Sequence, residues 1–161
     1  MSNNVYEKRV KDVMSRHLVT IDASESVHEA LQLMAENKVA ALPVVDRQGH
    51  CVGLISTSDL IDVTRDLDTA LDELEKSDEV LLGQLVAKIG DGVGHQSVME
   101  LMSESVVSAG PDTLLSEAAS QMLREKIHRL PVVDENDRLL GIVSTTDILT
   151  AFVDGAFAKA K

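Results

Sequence analysis

From Val27 the apolar residues Val27, Ala30, Leu31, Met34 and Ala35 fall at offsets 0, 3, 4, 7 and 8, the spacing of a helix with one buried face. Leu115, Ala118, Ala119, Met122 and Leu123 repeat those offsets. Asn37-Lys38 and Glu125-Lys126 end the two patterns, and apolar runs at 41–45 and 130–133 then predict strands. Pro43 and Pro131 cannot donate to a sheet ladder, so these strands are expected at an edge, or with the proline at their start. The polar tetrads Asp46-Arg47-Gln48-Gly49 and Asp134-Glu135-Asn136-Asp137 read as hairpin turns into strands at 51–55 and 139–143, after which Ser56 and Ser144 open another helix. Upstream, Leu18, Val19 and Ile21 suggest a short strand. Asp22 to Ser24 reads as a turn in which Ser24 or a neighbour caps the helix, and Gly110-Pro111-Asp112 is a stronger turn at the matching place. Each unit is thus strand, helix, strand, strand, helix: a small three-stranded sheet with helices on one face.

These patterns are one pattern used twice. LPVVDRQGHCVGLISTSDLI at 42–61 returns as LPVVDENDRLLGIVSTTDIL at 130–149, offset by 88 residues, and 10–61 aligns without a gap on 98–149 with 17 identities in 52 positions. A repeat at fixed offset marks a supersecondary unit, and units near 50 residues, each marginal alone, are expected to pack on one another. The chain accordingly divides into 1–61, a first repeat with a polar lead-in (MSNNVYEKR) expected to be partly disordered; 62–97, an acidic helical linker; and 98–161, a second repeat with a C-terminal helix extension. In the linker, Leu60, Val63, Leu67, Leu71 and Leu74 predict a long helix from about Thr57 to Lys76. Val80 to Ile89 predicts a short one, and GDGVG at 90–94 a turn. The tail from Phe152 is expected to continue the last helix and to pair with the central helix or with a second subunit.

Composition narrows the function. With one Tyr, two Phe and no Trp, the core is aliphatic. Fifteen basic against 27 acidic residues give a formal charge of -12, of which 62–79 carries -6 through eight acidic and two basic side chains. Such a surface opposes nucleic acid and anionic membrane, while a locally basic pocket can still hold a small anion. Cys51 reads as an inert thiol. The five histidines lack ligand spacing, and no HExxH, CxxC, GxSxG or GxGxxG occurs, so neither a metal site nor an enzyme is expected. No apolar run of 18 residues and no signal segment is found, and the default location is cytoplasmic.

The chemistry is concentrated in GLISTSD and GIVSTTD. Ser56 with Asp59, and Ser144 with Asp147, fit a capping box needing no ligand; equally, a carboxylate offers two acceptors to a vicinal diol, and a helix start offers N–H groups to a phosphate. VMS near each start, LPVVD, the glycine and the S-x-x-D ending, in this order and duplicated over 10–61 and 98–149, resemble a tandem pair of cystathionine-beta-synthase (CBS) domains, the Bateman module. The resemblance implies an α/β (α+β) fold of two pseudo-twofold-related units packed sheet to sheet, with clefts for adenosine-containing ligands, and modules that stack as a homodimer. It implies that Asp59 and Asp147 hold ribose hydroxyls, with Ser56 and Ser144 near ribose or phosphate. The repeats differ before the proline: Ala40-Ala41 in the first, Lys126-Ile127-His128-Arg129 in the second. Lys126, His128 and Arg129 are cations suited to phosphate. The base slot would be Val19 to Ile21, including Thr20, with Ala41, and Val107 to Ala109, including Ser108, with Ile127. The expectation is a non-catalytic sensor of AMP, ADP or ATP, with S-adenosylmethionine behind them, that signals to a separate effector protein, for which the acidic linker is the non-repeated surface. The alternative is a ligand-free module that dimerises and binds a partner protein.

Overall fold

The computed structural model describes residues 4–64, 94–103 and 107–159, and the chain forms two compact units. One, Val19–Val106, holds β1 (Ile21–Asp22), α1 (Val27–Asn37), β2 (Ala41–Val45), β3 (Cys51–Ser56), α2 (Thr57–Thr64) and α3 (Val98–Leu101). Its sheet runs β1-β2-β3, with β1 parallel and β3 antiparallel to β2. The other joins Met1–Leu18 to Val107–Lys161 and holds α4 (Leu115–Glu125), β4 (Arg129–Val133), β5 (Leu139–Ser144) and α5 (Thr145–Lys159). Here β4 and β5 pair antiparallel, and a single parallel bridge from Ala109 to Val132 stands where β1 stands in the first unit.

Each helix forms where the periodicity places it. Ser26, rather than Ser24, caps α1 by accepting the Glu29 N–H at 3.2 Å, because the Ser24 N–H and hydroxyl both donate to Asp22 Oδ1, at 2.8 and 2.6 Å. Lys38 ends α1, and Lys126 α4, in the left-handed region with φ of 54 and 56°, a place where glycine or asparagine is usual. Val27, Ala30, Leu31 and Met34 are buried with Leu42, Val44, Ile55, Leu60 and Val98; Leu115, Ala118 and Met122 with Leu130, Val132, Val143 and Ile148. Each such Val, Leu, Ile or Met side chain contributes roughly 1.5–3 kcal/mol by leaving water. Leu123, expected on the buried face, is 80 % exposed. Eight residues at 100° apiece carry it about 80° from Leu115, to the margin of the apolar stripe.

Pro131 lies in a strand of a two-stranded sheet, an edge as expected, whereas Pro43 is tolerated for a different reason. β2 is the central strand of its sheet and Pro43 lies in its middle, paired with Leu54. The neighbouring β1 is only two residues long and pairs with Val44 and Val45, so the ladder asks Pro43 for no N–H on that side. In the second unit the Pro131 carbonyl accepts the Ala109 N–H at 2.9 Å.

Repeat and compact unit are different divisions of the chain. Residues preceding the first repeat's sheet dock on the body of the second: Val10 is fully buried there with Met14, Ser15 and Ile142 exchange both backbone hydrogen bonds at 2.9 and 3.0 Å, and Val10 N–H donates to Thr113 O at 2.8 Å. The matching residues of the second repeat dock on the first, with Val98 buried and Ser103 N–H donating to Leu54 O at 3.1 Å. In the polar lead-in Val5–Glu7 and Val10–Asp12 are 3-10 turns, and Tyr6 meets Phe152 of α5 edge to face at 6.1 Å. That contact joins the tail helix to the chain's own N-terminal segment. The continuation beyond Thr64 of the helix predicted to Lys76, the short helix predicted at 80–89 and most of the predicted GDGVG turn lie outside the described residues.

Close approach of the leader requires glycine on the receiving strand. A Cβ on Gly141 would stand 2.7 Å from Met14 Sδ and 2.8 Å from Ser15 O; on Gly53, 2.5 Å from Met102 Sδ. Gly141→Ala is therefore expected to lower unfolding free energy by about 1–3 kcal/mol, measured by denaturant titration. Gly110→Ala, where the nearest atom is Thr113 Oγ1 at 3.6 Å, should change it by less than about 0.5 kcal/mol. The leader is also pinned by Lys11 Nζ to Asp112 Oδ1 at 2.6 Å and by Arg9 to Asp112 O. The Lys11 hydrogen bond and charge hold the Asp112 carboxyl below its ordinary range. A depressed folded value means that the stabilisation is present above the unfolded carboxylate pKa of about 3.9 and is lost as pH falls through the lower folded value. Native protein and Asp112→Asn should differ in stability near neutral pH and at low salt, and converge in acid; denaturation followed against pH reads this directly.

Candidate functional site

In both units a strand ends on a serine and the next helix begins at once, and the two junctions share one register. Arg129 faces Ser144 across the β4/β5 ladder, and Ala41 faces Ser56 across β2/β3. Thr145 N–H donates to His128 O at 3.0 Å, and Thr57 N–H to Ala40 O at 2.9 Å. The residues before each proline therefore lie beside the S-x-x-D sequence, as two corners of one sheet end.

The capping box is formed in both copies. Ser144 N–H donates to Asp147 Oδ2 at 2.8 Å and Asp147 N–H to Ser144 Oγ at 3.1 Å. Ser56 N–H donates to Asp59 Oδ2 at 2.8 Å, Asp59 N–H to Ser56 Oγ at 3.4 Å, and the Ser56 hydroxyl to Asp59 Oδ2 at 3.0 Å. Every bond that the two carboxylates accept here ends on Oδ2. Among the described residues neither Oδ1 accepts a hydrogen bond, and both aspartates are half-buried. Each carboxylate thus holds its helix with one oxygen and presents the other.

Strand alternation divides the candidate cations. Leu130 and Val132 lie in the core with Leu115, Met122 and Ile148, so Arg129 and its partner Ser144 point to the opposite face. Arg129 is half-buried and makes no hydrogen bond or ion pair among the described residues. Lys126, Ile127 and His128 instead line a cleft of about 460 Å³ between α4 and α5, with Thr145, Met122 and Leu149. That volume is in the range of small-molecule sites. Leu123 and Leu149 flank it, the latter 65 % exposed. Arg129, Ser144 and Asp147 therefore form one group, and Lys126, Ile127 and His128 another. Ala41 is buried, while Thr20 and Ser108 are half-buried just ahead of Ile21 of β1 and the bridging Ala109. The cleft's Thr145 carried no sequence signal beyond its place after Ser144, and the apolar rim at Leu149 was hidden because its period matches an ordinary core helix.

Comparison with known proteins follows the same lines. The profile of the CBS domain family matches residues 10–66 and 98–154. Among solved structures, the chain is similar to CBSX2 of Arabidopsis thaliana in complex with AMP: 31 % identity, TM-score 0.69, covering 91 % of this chain and 96 % of that one. It is also similar to the CBS domain pair of protein MJ0100 in complex with 5'-methylthioadenosine and S-adenosyl-L-methionine, at 26 % identity and TM-score 0.67, covering 91 % and 97 %. The gamma-3 subunit of 5'-AMP-activated protein kinase from Sus scrofa is 32 % identical over 138 residues, 86 % of this chain; the chain spans only 24 % of that protein. No helix among the described residues is long and apolar enough to cross a membrane.

The box has a measurable structural contribution of its own. Asp147→Ala is expected to destabilise the unit by about 1 kcal/mol through loss of the reciprocal bond at the helix start. Asp147→Asn, which keeps one acceptor, should cost less than half of that by thermal or chemical denaturation.

Proposed function

Since the chain belongs to the CBS domain family, in two tandem copies, we propose that it is a non-catalytic regulatory module that senses an adenosyl ligand: AMP, ADP or ATP ahead of S-adenosylmethionine. The observation that carries the reading is the open oxygen of Asp147 in its box with Ser144, whose ladder partner Arg129 makes no hydrogen bond or ion pair among the described residues. An ionised carboxylate suits the two ribose hydroxyls, and a guanidinium with a serine hydroxyl suits a phosphate. The apolar slot for the base is assigned to Val107, Ser108 and Ala109 in one unit and to Val19, Thr20, Ile21 and Ala41 in the other. AMP in the complex of CBSX2, and 5'-methylthioadenosine with S-adenosylmethionine in that of MJ0100, support this ligand class.

The signal passes to a separate effector protein through a homodimer. The α4/α5 face, with Leu123 and Leu149 exposed in the lining of the cleft, is the surface assigned to the second copy, because an exposed apolar patch marks a contact. The acidic stretch 62–79 is assigned to the effector. A second reading, a ligand-free interaction module, is favoured by one observation: both capping boxes are complete without a ligand.

Titration calorimetry with AMP separates the two. Native protein is expected to bind, and Asp147→Asn to bind about tenfold more weakly, the loss of roughly one good hydrogen bond. Equal affinities would remove the ribose contact, and no heat from AMP, ATP or S-adenosylmethionine with protein that is dimeric by light scattering would leave the interaction module.

A further inference from the structure

We propose that Met102 is an oxidation site, at which a hydroperoxide converts the thioether to a sulfoxide and thereby releases residues 98–103 from β3. In each unit the methionine just before the leader's bonding serine is seated on the glycine of the receiving strand. A Cβ on Gly53 would stand 2.5 Å from Met102 Sδ, 3.1 Å from its Cγ and 3.1 Å from Ser103 O, and one on Gly141 would stand 2.7 Å from Met14 Sδ. Between sulfur and strand there is no space for a further oxygen atom. The two seats differ in access. Met14 is 8 % exposed and shares a core cluster with Val10, Leu115 and Met122, and Met34 and Met122 are buried as well. Met102 is half-buried at the margin of its own cluster, next to the exposed Ser103. Met99 is 52 % exposed and lies in neither described cluster, which makes it an internal reference: open to an oxidant, with no packing to lose.

The reaction changes what the seat can hold. A lone pair of Sδ attacks one oxygen of hydrogen peroxide; the S–O bond forms as the O–O bond breaks, and the departing hydroxide takes the proton of the transferred oxygen and leaves as water. Sulfur gives up two electrons and the peroxide gains them. A polarizable apolar group that fits against a glycine becomes a polar, chiral one with a strong acceptor oxygen. The side chains of the cluster beside Met102, Val98, Leu101 and Ile55 among them, are aliphatic and give that oxygen no donor, and a buried acceptor without a partner is costly. Water satisfies it once the side chain leaves Gly53. The Ser103 N–H to Leu54 O bond, at 3.1 Å, is the next link along the chain and goes with it. Met14, shielded at the matching seat, keeps the other leader in place, so the response is confined to one unit. A dithiol-dependent reductase reverses the step, the sulfoxide oxygen leaving as water and the dithiol becoming a disulfide.

Full-length protein treated with graded hydrogen peroxide and then with dithiothreitol tests this by peptide mass spectrometry, thermal unfolding and amide hydrogen exchange. Cys51, whose Sγ donates to Gly53 O at 3.5 Å, lies on the same strand; dithiothreitol returns an oxidised thiol to its reduced form and leaves sulfoxides in place. Met99 and Met102 are expected to gain oxygen while Met14, Met34 and Met122 keep their thioethers. The melting temperature should fall by about 2–8 °C, in proportion to the Met102 sulfoxide. Exchange in 98–103 and 51–56 should quicken about tenfold, with 10–18 and 139–144 unchanged. Reductases acting on both sulfoxide epimers should restore both readings. Met102→Leu, a substitution of similar volume, should abolish the peroxide-dependent fall, and Met99→Leu should leave it. Met102 that reacts no faster than Met14, a fall that persists in Met102→Leu, or exchange that quickens equally in both leaders would overturn the assignment. Should Met102→Leu not fold, the proportionality to Met102 sulfoxide in native protein, and its reversal by the reductases, decide the matter.

Discussion

The contact on which the rest of the structure depends is the backbone exchange between Ser15 and Ile142, answered in the other unit by the bond from Ser103 N–H to Leu54 O. It brings a leader segment so near to a strand that the strand has room only for glycine, Gly141 or Gly53, at the point of closest approach. Through it, residues that sequence assigns to one repeat become core of the other: Val10 and Met14 fill the space under α4 and α5, and Val98 that under α1. A repeat cut at its sequence boundaries would lose a fully buried valine and expose the carbonyl and N–H that the leader satisfies. The cost of such vacancies is set by how poorly a packed core collapses around them. The repeat is therefore the unit of duplication, and the leader-plus-body is the unit of folding.

The same glycines lie close before the ends of β5 and β3, to which the proposed ligand contacts belong. Three residues beyond Gly141 comes Ser144, and three beyond Gly53 comes Ser56. At both the ladder finishes on a pair, Arg129 with Ser144 or Ala41 with Ser56, before the helix begins. The hairpin turns hold the opposite end of each sheet by the same device in two spellings. Asp46 Oδ1 accepts from Gln48 and His50, and Asp134 Oδ1 from Asn136 and Arg138, while the left-handed residue is Gly49 in one turn and Asp137 in the other. The His50 bonds, that from its backbone N–H foremost, hold the Asp46 carboxyl below its ordinary range, as expected of an acceptor already supplied with donors.

The elements were legible because periodicity reports burial: helices α1 and α4 and the four longer strands lie within a residue or so of where alternation and 3.6-residue spacing put them. Duplication doubled that signal, since Ser26 and Leu114 begin the same helix by different means. What could not be read was anything set by partners distant in sequence. The lead-in MSNNVYEKR is polar on its face, and nothing local in it says that Tyr6 will meet Phe152 or that Arg9 and Lys11 will meet Asp112. The edge-strand rule for proline failed because β1 is shorter than a strand pattern would suggest, which leaves Pro43 at the centre of a sheet with no missing bond to answer for. At the site, composition placed Lys126, His128 and Arg129 together; pleating separates neighbours, and sent His128 to one face and Arg129 to the other.

The S-x-x-D box looks at first like an argument against a ligand, since both aspartates already serve their helices. Magnitudes decide otherwise. The reciprocal cap contributes about 1 kcal/mol, and it uses one oxygen of a carboxylate that has lone pairs on two. A diol donating to the open oxygen gains a charge-assisted bond, on the order of 1.5–3 kcal/mol, without breaking the cap. Even full exchange of Oδ2 for a second ligand hydroxyl would cost less than it returns. The cap therefore works as a splint: it holds the carboxylate in one rotamer at the strand end, so that a ligand does not have to supply the entropy of ordering it.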